Sequence, residues 1–136
     1  MIRSYAVNNY KKMLRQPQGQ LGHPFIVPGS VYANQLWDWD CWLTNVALRQ
    51  FVEEDITLYE RGCVINFLEH VDEKGRIPLQ ITPNSILPGG LRNPDRKSNM
   101  HKPCLAQHAA FLIQNDQEDA QWLRAWLNHE KVVEEF

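Results

Sequence analysis

The strongest chemical signal in the chain is the run Trp37-Asp38-Trp39-Asp40-Cys41-Trp42, which holds three of the five tryptophans. Indole rings stack on the C–H faces of a pyranose, and ionised carboxylates accept hydrogen bonds from pairs of neighbouring hydroxyl groups. Aromatic faces beside fixed carboxylates are what a sugar site needs. An alternative interpretation makes Asp38 or Asp40 the N-cap of a helix and the tryptophans hydrophobic anchors.

Further polar and aromatic residues join this run as candidates. The candidate sugar-binding residues are Tyr32, Trp37, Trp39, Asp40, His101 and Gln107. The histidines include no i, i+4 pair and no H-E-x-x-H motif, so no metal ligands are expected. No G-x-G-x-x-G nucleotide loop and no G-x-S-x-G nucleophile elbow occurs, so no cofactor is expected either.

Five segments show the three- and four-residue apolar spacing of amphipathic helices, and no β pattern beyond a few short apolar runs is convincing. The segments are about 4–15, 40–53, 57–71, 103 onwards and 117–136. Pro103 suits a first helical turn because it lacks the N–H donor that such a turn leaves unpaired. The sequence therefore predicts an all-α fold of about five helices in antiparallel helical hairpins.

The connections between these segments differ in length. Those around Glu54-Asp55 and Asn115-Asp116 are short, whereas 16–38 and 73–102 are long and contain most of the Pro and Gly. Structureless loops beyond ~12–15 residues are uncommon in compact domains unless they line a functional surface. In an antiparallel array, both long connections lie at the end where the second and fourth helices begin. We expect the candidate site there, because helix amino termini keep carboxylates ionised.

Length and charge limit the partners. Residues 1–136 are long enough for a single domain with its own core. The net charge of −2 makes nucleic acid and anionic membranes unexpected partners. There is neither a membrane-span pattern nor a secretion signal, so a cytoplasmic location is expected.

The three cysteines, Cys41, Cys63 and Cys104, are widely spaced and form no C-x-x-C motif. An odd, scattered set indicates neither a disulfide framework nor a zinc site. We expect plain buried thiols, which is the usual state of free cysteine.

Three stretches of the chain are similar to a known enzyme family. They are LRQPQGQLGHPFIVPGSVYANQLWDWDCWLTNVAL, NFLEHVDEKGRIP and HKPCLAQHAAFL. Together they resemble the start of the catalytic domain of glycoside hydrolase family 63, over about residues 13–127. That family includes processing α-glucosidases and bacterial mannosylglycerate and glucosylglycerate hydrolases, and trehalases are more distant kin. The most specific motif is the Tyr…Trp-x-x-Asp at the start of the second helix.

The resemblance implies an incomplete (α/α)6 toroid, with this chain supplying the amino-terminal part of a six-hairpin glycosidase. It implies that Tyr32, Trp37 and Asp40 line the sugar pocket, with Gln107 as a fainter match. Members of the family are inverting hydrolases, in which one carboxylic acid protonates the leaving oxygen and a carboxylate activates water. Both residues come from later hairpins, so neither is expected before Phe136. The exposed inner faces of a split barrel would call for self-association or a complementing chain.

Two other functions stay open from the residues. One is a non-catalytic helical protein that binds carbohydrate or another partner without turning it over. The other is a small enzyme that uses Asp38 and Asp40 as its acid/base pair. Residues two apart at a helix start point in different directions, which places this pair poorly around one glycosidic bond.

Overall fold

The computed structural model describes residues 2–32, 34–73, 75–88, 104–115 and 120–127. In these ranges the α-helices are α1 (Ile2–Asn9), α2 (Asp38–Leu48), α3 (Thr57–Leu68), α4 (Cys104–Asn115) and α5 (Gln121–Leu127). Short 3₁₀ helices cover Tyr10–Met13 and Ser30–Tyr32. The strands, of two residues each, are β1 (Leu14–Arg15), β2 (Phe25–Ile26), β3 (Leu36–Trp37), β4 (Gln80–Ile81) and β5 (Ile86–Leu87).

The prediction of an all-α fold, and with it the incomplete (α/α)6 toroid, is wrong. The described residues form two antiparallel sheets beside the helices, so the fold is mixed α and β. β1 pairs with β2, and β4 lies between β3 and β5 in a three-stranded sheet. Each strand has two residues, which is too short for the alternation by which a strand is recognised in a sequence.

The three-stranded sheet joins the two long connections of the chain. β3 belongs to the first connection, and β4 and β5 belong to the second. In the register of β3 and β4, Leu36 lies opposite Ile81 and Trp37 lies opposite Gln80. Leu36 and Ile81 are fully buried, which fixes the sheet to the core. The prediction that the two connections meet beside the start of the second helix is confirmed for these strands.

The centre of the core is β2 packed on α3. Phe25 and Ile26, together with Phe67 on α3, are inaccessible to solvent. The thiol of Cys63 on α3 accepts a hydrogen bond from the Ile26 N–H, with a distance of 3.3 Å between nitrogen and sulfur. The chain before β2 passes so close to α3 that a Cβ at Gly62 would collide with the carbonyl oxygen of Pro24.

A buried amide fixes the chain leading into β2 to α3. The side chain of Asn66 is inaccessible to solvent. Its Oδ1 accepts from the His23 backbone N–H at 3.1 Å, and its Nδ2 donates to the His23 carbonyl at 3.0 Å. Both backbone groups of His23 are thereby satisfied without a neighbouring strand, as buried backbone groups must be.

The α2–α3 hairpin carries a buried ion pair. Glu60 on α3 has a side chain that is only 1% exposed, and Arg49 directly after α2 approaches it with two nitrogens. Nε of Arg49 donates to Oε1 of Glu60 at 2.7 Å, and Nη2 donates to Oε2 at 2.6 Å. A bidentate guanidinium satisfies both carboxylate oxygens, which a buried carboxylate requires.

The first glycine after α3 lies in a turn of its own. α3 ends at Leu68, well before Gly75. Gly75 has a φ of 75° and closes the turn, donating its N–H to the Asp72 carbonyl at 3.0 Å. The side chain of Asp72 accepts from the backbone N–H of Arg76 in the same turn.

Helices α4 and α5 pack around this centre. α4 contacts α2 and α3, and α5 contacts α3. Cys41, Cys63 and Cys104 are all buried and form no disulfide bond, so the prediction of buried thiols is confirmed. None of the helices in the described ranges is both long enough and apolar enough to cross a bilayer.

Candidate functional site

The start of α2 holds three of the candidate residues, Trp37, Trp39 and Asp40. Trp37 occupies the N-cap position in extended backbone conformation and makes no side-chain capping hydrogen bond. Asp38 and Asp40 both lie in the first helical turn. The alternative that either aspartate is the N-cap is therefore wrong. Carboxylates in a first turn are stabilised by the unpaired N–H groups and by the helix dipole.

The two aspartates have different surroundings. Asp38 is 8% exposed and shares the core-facing side of α2 with Cys41, Asn45 and Leu48. Asp40 is half-buried and lies three residues after the half-buried Trp37. Trp37 ends β3 in extended conformation and Asp40 lies in the first turn of α2, so the two residues stand on either side of the junction between strand and helix.

Two more aromatic rings lie on the surface of the same segment. Trp39 is 40% exposed and Tyr32 is 41% exposed. Tyr32 ends the 3₁₀ helix, and its carbonyl accepts from the Gln35 N–H at 2.9 Å in the turn that leads to β3. The segment 30–40 thus gathers Tyr32, Trp37, Trp39 and Asp40; we call these four residues the rim.

The indole of Trp37 is held by a bridge of two glutamines. Its Nε1–H donates to Oε1 of Gln35 at 3.1 Å. The same oxygen accepts from Nε2 of Gln80 on the neighbouring strand at 2.9 Å. One carbonyl oxygen with two lone pairs thus takes two donors. This bridge fixes the ring of Trp37 from its polar edge and leaves both ring faces free of that contact.

A second amide anchors the loop that carries the rim. Oδ1 of Asn34 accepts from Nε of Arg15 at 3.0 Å, and Nδ2 of Asn34 donates to Oε1 of Gln18 at 3.3 Å. These contacts tie the turn before β3 to the segment around β1. Both the donor and the acceptor of the Asn34 amide are used, so this side chain is structural.

Behind the rim, a buried polar contact joins α2 to α4. Nδ2 of Asn45 lies 2.5 Å from Nε2 of His108, and Nδ1 of His108 lies 3.9 Å from the sulfur of Cys41. An amide nitrogen can only donate, so Nε2 accepts and the ring proton belongs on Nδ1. The thiol of Cys41 in turn donates to the carbonyl of Asp38 at 3.0 Å.

Burial keeps this contact neutral. It lowers the pKa of His108 to about 3. It also raises the pKa of the Cys41 thiol well above its usual value, and the neighbouring Cys63 adds to that shift. A neutral imidazole and a protonated thiol cannot act as an ion-pair nucleophile, so these residues hold the helices together.

The candidates from the second half of the chain are only partly located. Gln107 is exposed on α4. It directly precedes His108, whose ring contacts Cys41 and Asn45 on α2. Gln107 therefore lies on a helix that touches the first two turns of α2. His101 lies outside the described residues.

Sequence reasoning missed Gln35 and Gln80. Gln35 is two residues before Trp37 in extended chain, a spacing that puts both side chains on one face of a strand. That spacing could have identified it. No sequence signal identifies Gln80, because its position opposite Trp37 exists only through the pairing of β3 with β4. In the described ranges, no three His, Cys, Asp or Glu side chains come together in a way that could hold a metal ion.

Comparisons of the chain with models of protein families, with curated proteins and with solved structures found no match.

Proposed function

We propose that this chain supplies part of the sugar-binding pocket of an inverting α-glycoside hydrolase that acts on glucosides, mannosides or related small glycosides. The resemblance of its sequence to glycoside hydrolase family 63 suggests this reaction and this substrate class. The rim supplies the chemistry for holding a sugar. A cytoplasmic location is part of the same proposal.

The observation that carries the proposal is that Trp37, whose indole is held by Gln35, lies three residues before Asp40 in the first turn of α2. A held indole gives a flat apolar surface for the C–H face of a pyranose, and a first-turn carboxylate accepts from two adjacent hydroxyls. Tyr32 and Trp39 are further exposed aromatic side chains of the same segment. Sugar sites combine such ring faces with a small number of oriented polar groups.

The proposal assigns the catalytic acid and base to residues other than the rim. An inverting pair stands ~6.5–9.5 Å apart on opposite sides of the sugar so that water fits between. Asp38 faces the core and is 8% exposed, so it cannot flank a sugar together with Asp40. The small-enzyme alternative based on these two aspartates is therefore not supported. A second copy or a complementing chain would supply the remaining groups.

A titration of the chain with simple glycosides tests the proposal. Methyl α-glucoside and methyl α-mannoside are added to ¹⁵N-labelled protein, and NMR shift changes are followed. We expect weak, saturable changes at the indole of Trp37 and at the amides of 30–40. Trp37→Ala and Asp40→Asn should each weaken binding by about tenfold, because each removes one main contact.

The matched control for Asp40→Asn is Glu53→Gln, an exposed carboxylate beyond the other end of α2. It should leave the affinity unchanged. If Asp40→Asn and Glu53→Gln weakened the affinity for the glycosides equally, the effect would come from the change in net charge, and this would contradict the proposal. Hydrolysis of p-nitrophenyl α-glucoside or α-mannoside by the chain alone, if it persisted in Asp40→Ala, would contradict it as well.

The non-catalytic alternative shares the rim and differs in the remainder of the protein. If this alternative holds, the chain binds the same glycosides, but a mixture of the chain with any partner that co-purifies with it does not hydrolyse them. Turnover by such a mixture, lost with Asp40→Asn, would favour the hydrolase.

A further inference from the structure

We infer that Gln35 is a positioning residue that holds the indole of Trp37 in the orientation needed for sugar stacking, with Gln80 holding Gln35 in turn. This inference rests on the proposed function, because it gives Trp37 the role of a sugar platform. It adds two residues to the site that do not themselves touch the sugar.

The first argument is the geometry of the bridge. Oε1 of Gln35 accepts from the indole N–H of Trp37 at 3.1 Å and from the amide of Gln80 at 2.9 Å. Both distances lie within the usual range for N–H···O bonds. All three side chains are half-buried, so the bridge is partly shielded from competition by water.

The second argument is that the bridge spans two strands. Trp37 and Gln80 are directly opposite each other in the antiparallel pair β3 and β4. Side chains at such positions are cross-strand neighbours. Gln35 approaches from the chain just before β3, so the three groups are fixed by sheet register and not by a flexible loop alone.

The third argument is the cost of leaving the ring unheld. A partly exposed indole can rotate about its side-chain bonds, and binding must then fix one orientation. A ring that is already held loses less freedom when the sugar binds, which strengthens binding without any added contact. The same reasoning explains why rigid support behind a binding residue matters as much as the residue itself.

The first readout is the indole N–H of Trp37 in NMR spectra. Its signal is assigned as the one missing in Trp37→Phe. We expect Gln35→Leu to move this signal upfield and to speed its exchange with water, because the acceptor is lost. Gln35→Glu keeps two carboxylate oxygens as acceptors and should retain slow exchange. Gln80→Leu should give an intermediate effect.

The matched control is Gln50→Leu, because Gln50 lies exposed in the turn after α2 and its side chain makes only a long hydrogen bond, 3.4 Å, to the Val46 carbonyl. It should leave the Trp37 signal in place. Unchanged positions of the other four indole signals in Gln35→Leu show that the variant is folded. A Trp37 signal that does not change in Gln35→Leu overturns the inference, whether or not glycosides bind.

The second readout is the affinity for methyl α-glucoside or methyl α-mannoside, whichever binds the unaltered chain. Gln35→Leu should weaken it about fivefold, Gln35→Glu should restore it, and Gln50→Leu should not change it. An affinity in Gln35→Leu equal to that of the unaltered chain overturns the positioning role. Absence of binding by the unaltered chain overturns the proposed function itself, which the indole signal does not decide.

Discussion

His108 shows how the surroundings of one side chain decide what it can do. Cysteine, histidine and asparagine in contact are the residue types of a thiol nucleophile with its base and orienting amide. Here Cys41, His108 and Asn45 are all inaccessible to solvent. Burial favours the neutral form of both the ring and the thiol, and the uncharged contact then serves to join α2 to α4.

The buried ring gives the stability of the protein a defined pH dependence. The pKa of His108 is lowered to about 3 by burial, from 6.5 in an unfolded chain. Below pH 6.5 the unfolded chain binds a proton that the folded chain refuses, so stability falls as the pH decreases towards 3. The slope is about 1.4 kcal/mol per pH unit. Between pH 6.5 and pH 5, urea unfolding should therefore show a loss of about 2 kcal/mol from this group.

His108→Leu isolates the contribution of the ring. The variant should be less stable at pH 7, because Asn45 loses the acceptor for its amide. The difference in stability between the two proteins should shrink by about 2 kcal/mol between pH 6.5 and pH 5. A difference that is constant with pH would show that the ring titrates alike in the folded and the unfolded chain.

Helices α2 to α5 were the predictable elements, because each places apolar residues at three- and four-residue spacing against the core. α3 begins at the predicted Thr57, and α4 begins one residue after Pro103. The strands were not predictable, since a two-residue strand such as Leu36–Trp37 exists only through its partner elsewhere in the chain. The same limit applies to the site: the spacing predicts Trp37 beside Asp40, whereas the contact with Gln80 depends on tertiary pairing.

The packing of β2 on α3 predicts that replacing glycine by alanine destabilises the protein at Gly62 but not at Gly29. In an exposed helix interior, alanine in place of glycine is stabilising by roughly 1 kcal/mol. At Gly62 the added Cβ would meet the carbonyl oxygen of Pro24, which is backbone and must shift. We expect Gly62→Ala to destabilise the protein by about 2 kcal/mol or more, as measured by urea unfolding.

Gly29→Ala is the matched control. A Cβ at Gly29 would meet nothing within 4 Å. The stability of this variant should stay within about 0.5 kcal/mol of the unaltered protein. A Gly62→Ala protein as stable as Gly29→Ala would mean that the chain before β2 does not lie against α3 as described.

The molecule as a whole is organised around α3, with the rim at one end of α2 and the α2–α3 turn at the other. Buried residues concentrate on β2 and α3. α1 differs from the other helices in that none of residues 3–9 is buried. Tyr5 is 72% exposed, and the chain first reaches the core at Tyr10. Most of the stability should therefore reside in 10–88 together with α4 and α5.

This organisation predicts that residues 2–8 can be removed at little cost. Their deletion leaves Tyr10 and the ion pair of Lys11 with Glu54, at 2.7 Å, in place. Exposed terminal segments contribute little apolar burial, so the melting temperature should fall by only a few degrees. Phe25→Ala, which empties the centre of the core, should cost about 4 kcal/mol and serves as the comparison. The melting temperatures are measured by circular dichroism on heating. A deletion that lowers the melting temperature as much as Phe25→Ala does would show that α1 belongs to the cooperative core.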